Sequence, residues 1–289
     1  LTGVTSNNTS LTISPNYDDA TGTIIDNAGN EMSFSEFVSG TDGAAPAILA
    51  TSTLDDDSNG QIDQILVTLS EVITDASPTV LDNTTFTVVG YTVSGTATGS
   101  SSANDNQVLI SLAESGSGDT DATPNVVLVT AKISDGTNAL ASDQTFTGTS
   151  DAAAPQVSDL AIYDTDFNGL IDKIIVTFSE NVDTDDGSAP VSGDFGTIIL
   201  PDGQTANLGG ASFTDPAGSS SAVTITGISG QVTDNTAVGS TAVNGITNQW
   251  TDGTNVTSNP DDAETITDAA APTVVITATD GTLSTAGNV

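Results

Sequence analysis

The chain has 289 residues, of which 38 are Asp or Glu and two are Lys, with no Arg, no His and no Cys, giving a formal charge of −36 at neutral pH. Nothing in such a chain neutralises a phosphate backbone or an anionic headgroup surface, which excludes nucleic acid as a partner and argues against direct membrane insertion. Self-repulsion on this scale implies a saline or calcium-rich medium, and disulfides play no part in holding the chain together.

In chain order, the elements recur. The strand-like run Ser10–Ile13 aligns with Val108–Leu112 and Val223–Thr226, and each is followed by a polar turn: Ile25–Asn30, Ile133–Asn138 and Trp250–Asn255. Each unit then closes on a short run (Phe37-Val, Phe146-Thr, Ile266-Thr). An Asp-x-Ala-Ala-Pro joint follows at Asp42–Pro46, Asp151–Pro155 and Asp268–Pro272. The first two joints are 109 residues apart (151 − 42), and so are the Ser-Glu pairs Ser70-Glu71 and Ser179-Glu180 (180 − 71). Within the units Ile65, Val67 and Leu69 alternate with Leu66 and Thr68, while Ile174, Val176 and Phe178 alternate with Ile175 and Thr177. A period of two in β-branched sequence predicts strands. Thr85–Val89, Val126–Val129 and Thr197–Leu200 read as further short strands between Gly, Asn, Asp and Ser clusters. No window sustains a helical period. About seven strands per ~110 residues predict an all-β fold of tandem immunoglobulin-like β-sandwich modules. Their cores are expected to be thin and built from Val, Ile and Leu, since aromatics make up 4% of the chain. The divisions are 1–41, the C-terminal part of a module; 42–150 and 151–267, two modules; and 268–289, the opening strand of another.

Between the first joint and the first alternating strand lies Asp55–Asp63, and 109 residues later (164 − 55) lies Asp164–Asp172. Both read Asp-x-Asp-x-Asn-Gly-x-Ile-Asp. Oxygens at positions 1, 3 and 5 (Asp55, Asp57, Asn59; Asp164, Asp166, Asn168) converge on a cation only if the chain turns sharply, which Gly60 and Gly169 permit. The carbonyl of Gln61 or Leu170 and the carboxylate of Asp63 or Asp172 extend the set, and Ile62 or Ile171 anchors the loop. Hard oxygens without His or Cys select calcium over zinc. Position 12 is Leu66 or Ile175 rather than Glu, so the loops are not EF-hands, and the missing ligand comes from elsewhere or from water. The competing reading is a solvated Asx-turn in an Asp-rich chain.

Catalysis has little to work with. His and Cys are absent, acid pairs such as Asp185-Asp186 and Asp261-Asp262 lie in turns, and Lys132 and Lys173 have no Asn in register for an isopeptide link. The chain is therefore read as not an enzyme. Trp250 is assigned to a core or to joint packing. Asn7, Asn8, Asn83 and Asn255 begin Asn-x-Ser/Thr triplets, glycan acceptors only in a cell with that machinery.

The Asp-x-x-Ala-Pro joint, the alternating strand before Ser-Glu (Phe178-Ser-Glu180 in the second copy) and the late Asp-x-x-x-Asn turn resemble the bacterial immunoglobulin-like repeats of large adhesins and surface-layer proteins. The nine-residue loops resemble those of dockerins and calcium-binding spacer repeats. The 272–289 stretch departs from the pattern, carrying no such loop. The resemblance implies an extracellular, cell-surface structural role, with calcium-stiffened modules building a surface layer, a filament or an adhesin stalk. It also implies a second class of calcium site at the joints, here Asp42 with Glu71 and Asp151 with Glu180. Asp26, Asp135 and Asp252 in the late turns are then either third ligands or ordinary turn formers. The alternative is an adhesin whose modules themselves bind a glycan or other receptor. Expected partners are copies of the same chain, in a lattice or a head-to-tail filament in which Thr273–Ala278 completes the 1–41 unit of the next copy, or neighbouring modules of a longer chain. The latter fits a mature or interior piece, because Leu1–Val4 lacks the basic and apolar segments of a signal peptide and no apolar run approaches the ~20 residues of a membrane span.

Overall fold

The computed structural model describes residues 27–30, 42–73, 81–98, 104–114, 116–200, 204–228, 243–244, 249–257, 261–262 and 266–269. The expectations placed on Ser10–Ile13, Asp26, Phe37 and Thr273–Ala278 lie outside them. The chain is almost entirely β and sandwich-like, with several antiparallel sheets and, among the described residues, no α-helix. It forms two compact units. The first comprises 1–56, 62–115 and 122–152, and the second 57–61, 116–121 and 153–289.

The first unit carries β1 (Ile48–Leu54), β2 (Gln64–Leu69), β3 (Phe86–Val88), β4 (Thr92–Thr98), β5 (Gln107–Ala113), β6 (Val126–Leu128) and β7 (Gln144–Phe146). They form a four-stranded sheet in the order β1-β2-β5-β4 and a three-stranded sheet β3-β6-β7, all neighbours antiparallel. The predicted alternation holds: Ile65, Val67 and Leu69 are fully buried on one face of β2, opposite Ile110 and Val108 of β5 in neighbouring registers. Because side chains of a strand alternate between faces, a slip of one residue would expose all three.

The second unit carries β8 (Val157–Tyr163), β9 (Lys173–Thr184), a single 3-10 turn (Ser192–Phe195), β10 (Thr197–Ile198), β11 (Ser212–Phe213), β12 (Ser220–Thr226), β13 (Val243–Asn244), β14 (Trp250–Thr251), β15 (Asp261–Asp262) and β16 (Ile266–Asp268). The main sheet runs β11-β12-β9-β8-β16. The far end of β9 pairs with β14, and β10-β13-β15 form a small sheet. Twelve residues long, β9 keeps Ile174, Val176, Phe178, Val182 and Thr184 on its buried face.

The core of this second unit departs from the aliphatic expectation. Trp250, wholly buried, meets Phe178 at 4.9 Å and Phe195 at 5.2 Å between ring centroids, and Phe195 stacks on Phe213 at 5.2 Å. Its indole N–H donates to the Asp194 carbonyl at 2.8 Å, so the one polar atom of the ring is satisfied inside the core. The few aromatics of the chain are concentrated where they seal one unit rather than spread thinly over both. Trp250→Ala is expected to destabilise the second unit by about 3–5 kcal/mol, read by circular dichroism in denaturant. As the sole Trp, it should emit in the blue until that unit melts. A loss below about 1 kcal/mol would show that the ring does not organise the core.

Candidate metal centres

The two nine-residue loops take the same local course. Asp63 N–H donates to the Leu54 carbonyl at 3.1 Å and Asp172 N–H to that of Tyr163 at 3.0 Å, which ties each loop's end to the strand that enters it. Asn59 N–H reaches Asp57 Oδ1 at 3.3 Å, and Asn168 N–H reaches Asp166 Oδ1 at 3.2 Å. The Asn amides donate to the other oxygens of Asp57 and Asp166, and the N–H groups of Gln61 and Leu170 return to the Asn Oδ1 atoms at 3.0 and 2.8 Å. Asp56 N–H and Thr165 N–H bond Asp63 and Asp172, closing each loop across its mouth. Gly60 and Gly169 both sit at φ +84°, and their neighbours Ser58 and Phe167 at +60° and +58°. Two left-handed residues in such a short stretch make the sharp turn. Gly bears this without strain, whereas Ser58 and Phe167 do not.

The convergence is clearest in the second loop. Asp164, Asp166 and Asp172 each present an oxygen within 4.8 Å of the others. Asp164 is nearly buried and receives Asn168 N–H at 3.2 Å and Gly169 N–H at 2.7 Å. Beneath it Ile171 is buried as the anchor, as Ile62 is beneath the first loop. In the first unit Asp63 and Glu114 stand within the same distance of each other. Glu114 escaped the sequence reading because only the pairing of β2 with β5, which sets Asp63 O against Leu112 N–H at 2.7 Å, brings it there.

A second grouping lies at the far end of β2. Asp42, Glu71 and Asp135 offer oxygens within 4.8 Å of one another, Glu71 being buried. Ser70 places the Glu: its N–H donates to Ala47 O at 2.8 Å, and its hydroxyl accepts Ala47 N–H at 3.0 Å, pinning the strand end to the joint. One repeat later Ser179 does the same with Gln156, at 2.8 and 3.0 Å. Glu180 is correspondingly buried. It lies within 4.8 Å of Asp252 and accepts the Thr120 hydroxyl at 2.7 Å. Asp151, the counterpart of Asp42, is half-buried near the end of the first unit.

Turn former and third ligand are not exclusive for Asp135 and Asp252. Asp135 Oδ1 accepts Thr137 N–H and Asn138 N–H, each at 2.6 Å, and Oδ2 accepts the Asn138 amide at 2.9 Å. Asp252 repeats the pattern with Thr254 and Asn255. The Asn138 donors, then Thr137 N–H, hold the Asp135 carboxyl below its ordinary 3.8. Lys132, by contrast, donates to Asp82 at 3.2 Å and to Thr84, an exposed ion pair, and Lys173 lies 3.9 Å over the Tyr163 ring.

No family model, no characterised protein and no solved structure matches the chain.

A depressed carboxyl pKa contributes stability above the unfolded value and loses it as pH falls through the folded one. In carbon-detected NMR of the metal-free chain, Asp135 is therefore expected to titrate below 3.8, and its contribution to vanish only under stronger acid than an ordinary Asp requires. Asn138→Ala should move that midpoint upward. A midpoint indifferent to Asn138 would show that the turn does not hold the charge.

Proposed function

We propose that the protein is a non-catalytic structural component of a cell surface, built of immunoglobulin-like modules in series and stiffened by calcium, and serving as a surface layer, filament or adhesin stalk. One observation carries this reading. Two loops 109 residues apart (164 − 55) reproduce each other's backbone course and hydrogen bonds, down to Gly60 and Gly169 at the same φ. Asx-turns arise readily in Asp-rich sequence, but a pair of identical nine-residue frames, each seated on a buried Ile, is the construction expected of a hard-cation site.

Calcium would be held by Asp164, Asp166, Asn168, Leu170 and Asp172 in the second loop, and by Asp55, Asp57, Asn59, Gln61 and Asp63 in the first. The groups Asp42, Glu71 and Asp135, and Glu180 with Asp252, are further candidates. The benefit is electrostatic. With two ammonium groups in the whole chain, neighbouring carboxylates repel each other unless a divalent ion or salt intervenes, and ions bound only by the native state stabilise it by mass action.

Calorimetry tests the reading directly. Passing from chelator to about 5 mM calcium should raise the melting temperature by roughly 5–15 °C, the shift expected for sites of extracellular-module affinity in domains of this size. Asp166→Asn should remove most of the second module's shift and little of the first's, and Asp57→Asn the reverse. Equal melting temperatures in both media would overturn calcium binding by the loops.

A further inference from the structure

We propose a further function for the fold: each unit resists tension applied through its chain ends, by means of a parallel seam between the strand on which the chain enters and the segment on which it leaves. In the first unit the entering strand is β1. The leaving segment runs beside it in the same direction, with Ser150 bridging to Ser52. Thr53 N–H donates to Ser150 O at 3.0 Å, and Ser150 N–H donates to Thr51 O at 2.8 Å. Side chains add to this. Ala152 N–H donates to Thr53 Oγ1 at 3.2 Å, and the buried hydroxyls of Thr51 and Thr149 meet at 2.7 Å. Upstream, the Gln144 amide accepts Ile48 N–H at 2.7 Å and donates to Ile48 O at 3.3 Å.

The second unit arrives at the same arrangement with different residues. Its entering strand β8 pairs in parallel with β16, Leu160 against Ile266, Ala161 against Thr267 and Ile162 against Asp268, and Ala269 N–H donates to Ile162 O at 3.1 Å. Among the described residues every other strand pair of either unit is antiparallel. Parallel pairing is thus confined to the one place in each unit where the incoming and outgoing chain lie side by side.

The mechanical consequence follows from direction alone. Pulling the start of one strand and the end of its parallel neighbour slides the two lengthwise in opposite senses. The hydrogen bonds lie across that motion, share the force and must break together. Bonds at the open end of an antiparallel hairpin yield one at a time. On their other edges β1 and β8 are held by β2 and β9, so neither can roll away from its seam.

This inference rests on the reading that modules are strung in series and pulled through their ends, and it is tested separately from calcium. The chain contains no Cys, so paired cysteines define the pulling axis. In optical tweezers, the full-length chain in chelator is held through Gly43→Cys and Ala152→Cys, along the seam of the first unit. A second form is held through Asp56→Cys and Ala152→Cys, across the seam's end. All three positions are exposed. At equal force the lengthwise form should unfold about tenfold more slowly, since several bonds must fail at once and forced unfolding reads the unfolding rate. Thr53→Val, nearly isosteric, should quicken lengthwise unfolding about three- to tenfold and leave crosswise unfolding nearly unchanged. Equal rates on the two axes, or equal quickening on both by Thr53→Val, would overturn the seam whatever calcium does. A preserved ratio in a chain indifferent to calcium would keep the seam and discard the metal loops.

Discussion

Thirty-eight carboxylates share this chain with two ammonium groups, and the local structure is organised by how they are accommodated. Ion pairing contributes almost nothing: among the described residues Lys132 with Asp82 is the one salt bridge. Even there the Thr84 hydroxyl and N–H act more strongly than the Lys in pulling Asp82 down to about 2. Backbone N–H groups take over the counter-charge role. Asp42, Asp57, Asp82, Asp105, Asp135, Asp166, Asp186, Asp215 and Asp252 each accept the N–H two residues on. This contact requires a side chain as short as Asp, and it explains why the acids are Asp in all but six cases. The acidic composition is, locally, a turn composition, and a sandwich of short strands uses turns heavily.

Where turns meet strand ends, that local solution becomes crowded. Ser70 and Ser179 pin the ends of their strands to the preceding joint, and this buries Glu71 and Glu180 beside further carboxylates. A buried acid among acids is costly in isolation. The neighbouring N–H and hydroxyl donors at Asp135, Asp252 and Thr120 soften the cost, and a divalent ion would remove the repulsion that donors alone leave. The proposed calcium sites are thus the places where the chain's means of accommodating negative charge are most stretched.

Much of this was legible in the residues. Alternation in Ile65–Leu69 and Ile174–Phe178 identified two central strands and their inward faces, because burial on one face imposes a period of two. The loop frame identified the turns at Gly60 and Gly169, because the geometry of converging oxygens needs a left-handed residue at that position. Glu71 and Glu180 were found through a resemblance and a constant interval rather than through chemistry, and Asp135 and Asp252 were left divided between two roles that the fold combines.

By itself the sequence determined what is local: strand periodicity, turn chemistry, the nine-residue loops and the absence of groups able to balance the charge. These depend on residues a few positions apart. Tertiary structure alone decided what depends on long-range register. The pairing of β2 with β5 brought Glu114 to Asp63, the return of the chain set Thr149 against Thr51 across 98 residues, and the folding of the second unit gathered Phe178, Phe195, Phe213 and Trp250 into one core. No composition or spacing encodes such meetings, because they are settled by the burial of whole sheet faces, to which each residue contributes only a part.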